Sequence, residues 1–374
     1  MWDLMVCLPK FRRRRFLSVK QKRFPHLVLF IISLLFASLA CNAVTDFFDE
    51  GPAAYTPEGP APVEHPAEDE PQPTIPSEQL PTTETLYCPM VTDNILKAAT
   101  EFYEEEPGDE YEEEPEELYL VSYSVSGNQI GDPYFENVPA DLTGFQEDEA
   151  SQREIWDYFT TLIPVEARSS LAEYSVVTDG EGNVLAAVTQ TLYDPALWGL
   201  EVDIRDSSDK LNLTYTLIHE FAHLLTLGPE QVTPSEAVFN NPDDDNIYFE
   251  EASACPDYFP GEGCSQPDSY INAFFNGFWA DIYEEWQDIN LIEDDDAYYE
   301  ALDDFYYTYE DRFVTDYAVT NPEEDIAETF TFFVLSPRPS GDTIAEEKIL
   351  FFYDYPELVR LRDEITSGIC SLNP

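Results

Sequence analysis

The alternation of apolar and polar positions changes character several times along the chain. From about residue 118, LYLVSYSV reads as a strand. EDEASQREIWDYFTTLI then has helical spacing, with Ile155, Phe159 and Leu162 on one face. EYSVVTDGEGNVLAAVTQ carries two alternating runs about the turn residues 179–183, which predicts a β-hairpin. WGLEVDIRDS gives one more strand, followed directly by LTYTLIHEFAHLLTLG, an apolar helix. Beyond it the pattern is mainly helical and rich in aromatics, with helices expected near 268–288, 296–312, 322–336 and 343–366. Strands first and helices later predict an α+β domain, a small mixed sheet followed by a mainly helical C-terminal half.

The first 87 residues lack such patterns. KFRRRRFLSVKQKRF precedes LVLFIISLLFASLAC, a basic stretch before 14 apolar residues at 27–40. That run is short of the roughly 20 residues a membrane span needs, and reads as a secretory signal over 1–40. Its end, ASLAC, resembles the lipobox of bacterial lipoproteins, which implies that Cys41 becomes a lipidated first residue and anchors the rest to a membrane from outside the cytoplasm. An uncleaved anchor would also leave the remainder outside. Residues 41–87, rich in Pro, Glu, Ala and Thr, read as an extended tether, and 88–374 as the folded domain.

Charge and cysteines narrow the classes. The chain holds 18 basic and 76 acidic residues, a net charge of −58. Eight of the basic residues and one acid lie in the first 40, so the rest carries 10 basic against 75 acidic residues. Such a surface repels nucleic acid and anionic membranes, excludes a phosphate-binding role and favours cationic partners. The acidic runs at 101–119, 243–245 and 294–296 lack EF-hand spacing and read as solvated clusters rather than calcium loops. Apart from Cys7 and Cys41, four cysteines remain, an even count that predicts two disulfides in an exported chain. Cys255 and Cys264 bracket the turn-rich PDYFPGEG as a local staple, leaving Cys88 for Cys370; other pairings stay open.

The apolar helix carries two of the four histidines. His219 and His223 lie four residues apart, about 40° around the helix axis, and both reach one metal. Glu220 stands off to the side, as in H-E-x-x-H helices, where the glutamate activates water rather than binding metal. Ile218, Phe221 and Leu225 cluster opposite His219, which argues against a core helix that carries histidines by accident. His65, in the tether, is not a candidate. With no third histidine in the domain, and with Thr226 and Pro229 where a metzincin has Gly and His, the third ligand must be a carboxylate: a two-histidine, one-carboxylate zinc site. In TDYAVTNPEEDIAETF (315–330), Asn321 is a good N-cap and Pro322 a good first helical residue. Glu324 and Glu328 then share a face, with Ile326, Phe330 and Phe333 on the buried side. Attraction to the helix dipole accounts for Glu323 and Glu324 but less well for Glu328. Glu250 and Glu251 in YFEEASAC compete as ligands.

HEFAH, followed about a hundred residues later by YAVTNPEEDIAE, resembles the catalytic domain of the gluzincin metallopeptidases, in particular the anthrax lethal factor type. The resemblance implies a zincin-like domain and a surface-anchored or secreted endopeptidase. It implies one Zn²⁺ held by His219, His223 and Glu324, with Glu220 as general base. Tyr317 takes the place of the tyrosine that assists the transition state, and Glu328 that of an acid bonded to a ligand imidazole. In zincins an edge strand before this helix pairs with extended substrate, and GLEVDIRD (199–206) is expected to be that strand. The resemblance covers two short patches, and the segment between them is longer here, so specificity does not carry over. A non-catalytic extracellular lipoprotein, a zinc-stabilised binding module, is the alternative; Glu220 counts against it, because structural zinc has no use for a base.

Overall fold

The structure, a computed structural model, describes residues 88–103, 117–180, 184–292 and 294–372. The expectations for 1–40 and 41–87, Cys41 and His65 among them, lie outside the described residues, as does most of the acidic run 101–119. Among the described residues no helix is long and apolar enough to cross a membrane.

The fold is mixed α+β. A helix, α1 (Pro89–Tyr103), precedes strand β1 (Leu118–Ser126), which pairs with the short β2 (Gln129–Ile130) and β3 (Tyr134–Phe135). A turn of helix, α2 (Thr143–Gln146), leads to α3 (Glu149–Leu162), whose Ile155, Phe159 and Leu162 are buried as their spacing predicts. Strands β4 (Leu171–Thr178), β5 (Ala186–Gln190) and β6 (Trp198–Asp203) complete a sheet of order β2-β1-β4-β6-β5, with β3 also on β1.

The predicted hairpin does not form. β6 inserts between β4 and β5, parallel to β4 and antiparallel to β5. The burial pattern explains the order. Every residue of β6 is buried, the signature of a central strand covered on both faces, whereas β5 alternates buried Ala186 and Val188 with half-buried Ala187 and Thr189. The edge strand before the histidine helix is therefore β5, not 199–206.

Helix α4 (Lys210–Leu227) packs on the edge strand β5, on α1 and on a later helix. After it come a two-stranded ribbon, β7 (Val232–Pro234) with β8 (Gly263–Ser265), and between them α5 (Glu236–Asn240) and α6 (Asp245–Ala254). Gly263 is required in the ribbon, since a Cβ there would lie 1.9 Å from the Thr233 carbonyl oxygen. The remaining helices are α7 (Tyr270–Phe278), α8 (Tyr283–Ile289), α9 (Asp295–Thr308), α10 (Pro322–Leu335), α11 (Ile344–Phe351) and α12 (Pro356–Leu372).

Two expected helices are each broken in two. The 268–288 helix bends at Trp279–Ile282, which turns Trp279 and Trp286 inward with ring centroids 6.0 Å apart. The 343–366 helix stops before Pro356: Tyr355 is forced into an extended conformation and the proline starts a new helix. The acidic runs 243–245 and 294–296 serve as caps. Asp244 accepts the Asn246 N–H at the start of α6, and Asp294 accepts that of Ala297 in α9. Disulfides join Cys88 to Cys370 and Cys255 to Cys264.

Candidate metal centre

Two helices meet to build the site. Asp209 starts α4 by accepting the N–H groups of Leu211 and Asn212, each at 3.2 Å. Asn321 starts α10 by accepting the Glu324 N–H at 2.7 Å, with Pro322 as first residue. α4 and α10 pack through Phe221 and Phe330, ring centroids 6.0 Å apart, and Ile326, Phe330 and Phe333 are buried on the expected side. Neither helix keeps a free polar face: Glu324 and Glu328 are as buried as the apolar stripe, and so are both histidines. On the apolar side of α4, Ile218 and Phe221 are buried while Leu225 is partly exposed.

Three ligand-type atoms converge. His219 Nε2 lies 2.9 Å from Glu324 Oε2 and 3.1 Å from His223 Nε2, and His223 Nε2 lies 3.5 Å from the same Glu324 oxygen. The other nitrogen of His219, Nδ1, is bonded to Glu328 Oε1 at 2.8 Å. One proton can bridge only one contact of such a triangle. A cation at its centre satisfies all three atoms, and donors about 2.0–2.1 Å from a tetrahedral zinc stand ~3.3 Å from one another. The donor set therefore fits Zn²⁺. Burial opposes a charge on His219, but Glu324 and Glu328 outweigh it and hold a proton on the ring well above the usual imidazole range. Burial also opposes charge on Glu324, where His223 and His219 prevail and keep its carboxyl well below the usual range. Both directions mark a point that attracts positive charge.

Glu220 stands beside this triangle, with an oxygen within 4.8 Å of ring nitrogens of both histidines. Its Oε2 accepts the N–H of Val188 on the edge strand at 2.9 Å. Burial pushes its carboxyl up against the lowering effect of His223 and His219. Tyr317, half-buried, places its ring centroid 6.0 Å from that of His219. Glu328 is fully buried and accepts two further hydrogen bonds on Oε2, from Tyr215 at 2.7 Å and Thr315 at 2.6 Å. His223 Nδ1 is buried without a hydrogen-bond partner.

The structure thus brings together His219, Glu220, His223, Tyr317, Glu324 and Glu328. It does not bring Glu250 or Glu251 to them: both lie on α6, Glu250 exposed and Glu251 accepting a hydrogen bond from Ser235 Oγ at 2.8 Å. Sequence reasoning missed Tyr215, Thr315 and Val188. Tyr215 precedes His219 by four residues, one turn up the same face, and that spacing was a usable signal; Thr315 and Val188 are adjacent to the site only through the fold. Glu323, next to the cluster, accepts the Tyr258 hydroxyl at 2.8 Å, and burial, aided by Glu262, pushes its carboxyl up to about 8. Tyr258 belongs to the loop closed by Cys255–Cys264, so that staple is linked to the first turn of α10 by this hydrogen bond. No protein family model matches this chain, and no curated protein or solved structure is significantly similar to it.

Proposed function

We propose that the chain is a zincin-like zinc endopeptidase, with His219, His223 and Glu324 as metal ligands. The observation that supports it most is the convergence of their Nε2, Nε2 and Oε2 atoms within 3.5 Å of one another, with a fourth side chain, Glu220, close by but held elsewhere. Zinc held there would supply Lewis acidity, lowering the pKa of water toward about 7 and polarising a carbonyl.

The chain's own residues supply the remainder. Glu220, its carboxyl made more basic by burial, accepts a proton from the attacking water and returns it to the leaving amine. Its bond to Val188 fixes the carboxylate against the edge strand. Glu328 holds the Nδ1–H of His219, leaving Nε2 unprotonated for the metal. Tyr317 donates to the developing oxyanion. On β5 the residues flanking Val188 bond to β6, while Val188 turns its N–H away from it. The outward edge takes an extended peptide as a further strand. Presentation outside the cytoplasm, by a lipid on Cys41 and the 41–87 tether, belongs to the same proposal; two disulfides accord with an oxidising compartment.

The low exposure of the ligands, 2% for Glu324 and 3% for His223, also suits the second reading, a metal that only braces a binding module. One set of variants separates the two. Glu220→Gln is expected to keep one zinc per chain and to lower hydrolysis of a peptide library by at least about a hundredfold. Glu324→Ala is expected to lose the zinc. A wild-type chain that holds zinc but cleaves no peptide, or a Glu220→Gln chain as active as wild type, would sink the peptidase.

A further inference from the structure

Three more carboxylates converge away from the histidines. Asp179 directly follows β4, Asp203 ends β6, and Asp206 lies in the turn that leads to Asp209, the cap of α4. β4 and β6 run parallel with Val177 opposite Asp203, so both deliver their acids to the same end of the sheet. One carboxylate oxygen from each of the three lies within 4.8 Å of the others.

Hydrogen bonds account for only part of this group. Asp203 is satisfied: Oδ1 accepts the Arg205 N–H at 2.6 Å and Oδ2 the Asp179 N–H at 2.8 Å. Asp179 Oδ2 accepts the Val184 N–H at 3.1 Å. Its Oδ1, on a residue only 6% exposed, is buried without a partner, and so is Asp206 Oδ2. The Arg205 guanidinium lies over the Phe145 ring, 5.9 Å from its centroid, and its charge offsets only part of the repulsion felt by Asp206. Two orphaned carboxylate oxygens on acids clustered with the buried Asp203 are costly unless a cation joins them. Burial, with the neighbouring acids, pushes the Asp179 and Asp206 carboxyls up, as expected for crowded negative charge.

We propose that Asp179, Asp203 and Asp206 bind Ca²⁺, which clamps the ends of β4 and β6 to the turn that launches α4. An oxygen-only, triply acidic donor set selects a hard cation over zinc. Ca²⁺ tolerates irregular ligand geometry, and its shell, about 5 Å across, spans oxygens at this spacing. The smaller Mg²⁺ demands a near-ideal octahedron and gives up its waters reluctantly. The site stands independently of the peptidase reading, although it braces the entry to the helix that carries His219, Glu220 and His223.

The test is calorimetric titration of the chelator-treated full chain with Ca²⁺ and, separately, Mg²⁺, after one equivalent of Zn²⁺. The acidic surface binds Ca²⁺ weakly at many places, so the readout is a single tighter class. Wild type is expected to bind one Ca²⁺ per chain in that class and to gain several degrees in Tm at about 100 times its Kd. Asp179→Asn and Asp206→Asn are expected to weaken that class at least tenfold and to lose the Tm gain. Asp206, half-buried in a turn, keeps the test valid if Asp179→Asn fails to fold. His219→Ala is expected to leave Ca²⁺ binding intact, which separates this site from the histidine centre. Only weak background binding in wild type, a tight class retained by both variants, or preference for Mg²⁺ would overturn the assignment. So would asparagine variants stabilised without Ca²⁺ while wild type binds none, the mark of two acids sharing a proton.

Discussion

Glu328 is the side chain on which the orientation of His219 rests. It lies fully buried and accepts from Tyr215, Thr315 and the Nδ1–H of His219, so both of its oxygens are in use. Glutamine has the same shape but only one acceptor oxygen, so Glu328→Gln must leave the imidazole or the two hydroxyls facing an NH₂ group. The expected result is a ten- to hundredfold weaker zinc affinity, measured by competition with a chromophoric chelator. Glu251→Ala, on α6, is expected to change nothing. Equal affinity in wild type and Glu328→Gln would mean that another group sets the tautomer. At this scale scarcity governs what a sequence shows. Histidines are few, so a pair four apart carries information; Glu324 stood out among many acids only through the resemblance of YAVTNPEEDIAE to the gluzincin pattern, on a helix that the Asn321–Pro322 cap begins. Asp179, Asp203 and Asp206 are three of 76 acidic residues, and nothing local distinguishes them until two parallel strands and a turn place them together.

Elements hold these residues in place through contacts that periodicity does not reveal. α10 is pinned to α11 by the ion pair of Asp325 and Lys348 at 2.5 Å, both side chains fully buried. Asp325 also accepts the Trp279 indole N–H at 2.7 Å, and the Lys348 ammonium lies 4.3 Å from the centroid of the Phe313 ring. Burial pushes Asp325 up and Lys348 down, so each ion is tolerated because of the other. Lys348→Met strands a buried carboxylate next to Glu324, the proposed ligand, and is expected to cost about 3–5 kcal/mol in urea unfolding. Adding Asp325→Asn should recover most of that loss, and no recovery would show that packing rather than charge governs the junction. In the sequence Lys348 looks like any helical lysine, because its partner comes 23 residues earlier on another helix. The strand order was hidden for a related reason. Alternation identified β4, β5 and β6, but a short turn suggested pairing of neighbours, whereas the two-sided burial of β6 put it between them.

At the scale of the whole molecule, the lopsided charge works against compactness and the disulfides work for it. Ten cations cannot neutralise the acids carried from residue 41 onward, so self-repulsion favours expanded states, most strongly at low salt. The Cys88–Cys370 bond opposes that expansion by joining the start of α1 to the end of α12 across 282 residues. α1 buries Ile95 and Ala99 and packs on α4, so the bond also holds a cover over the helix that bears the histidines. Chain entropy assigns such a closure about 5.6 kcal/mol, against ~2.6 kcal/mol for Cys255–Cys264, only 9 residues apart. Replacing Cys88 and Cys370 together by serine is therefore expected to destabilise the chain more than the same change at Cys255 and Cys264. Urea unfolding at low and at 1 M NaCl checks this: salt should raise every variant by screening the acids and leave their order unchanged. Equal losses for the two pairs would mean that local packing, not restraint of the unfolded chain, sets the value of each bond. In that case the Cys255–Cys264 variant should also weaken zinc binding, because Tyr258 in that loop hydrogen-bonds Glu323 in the first turn of α10.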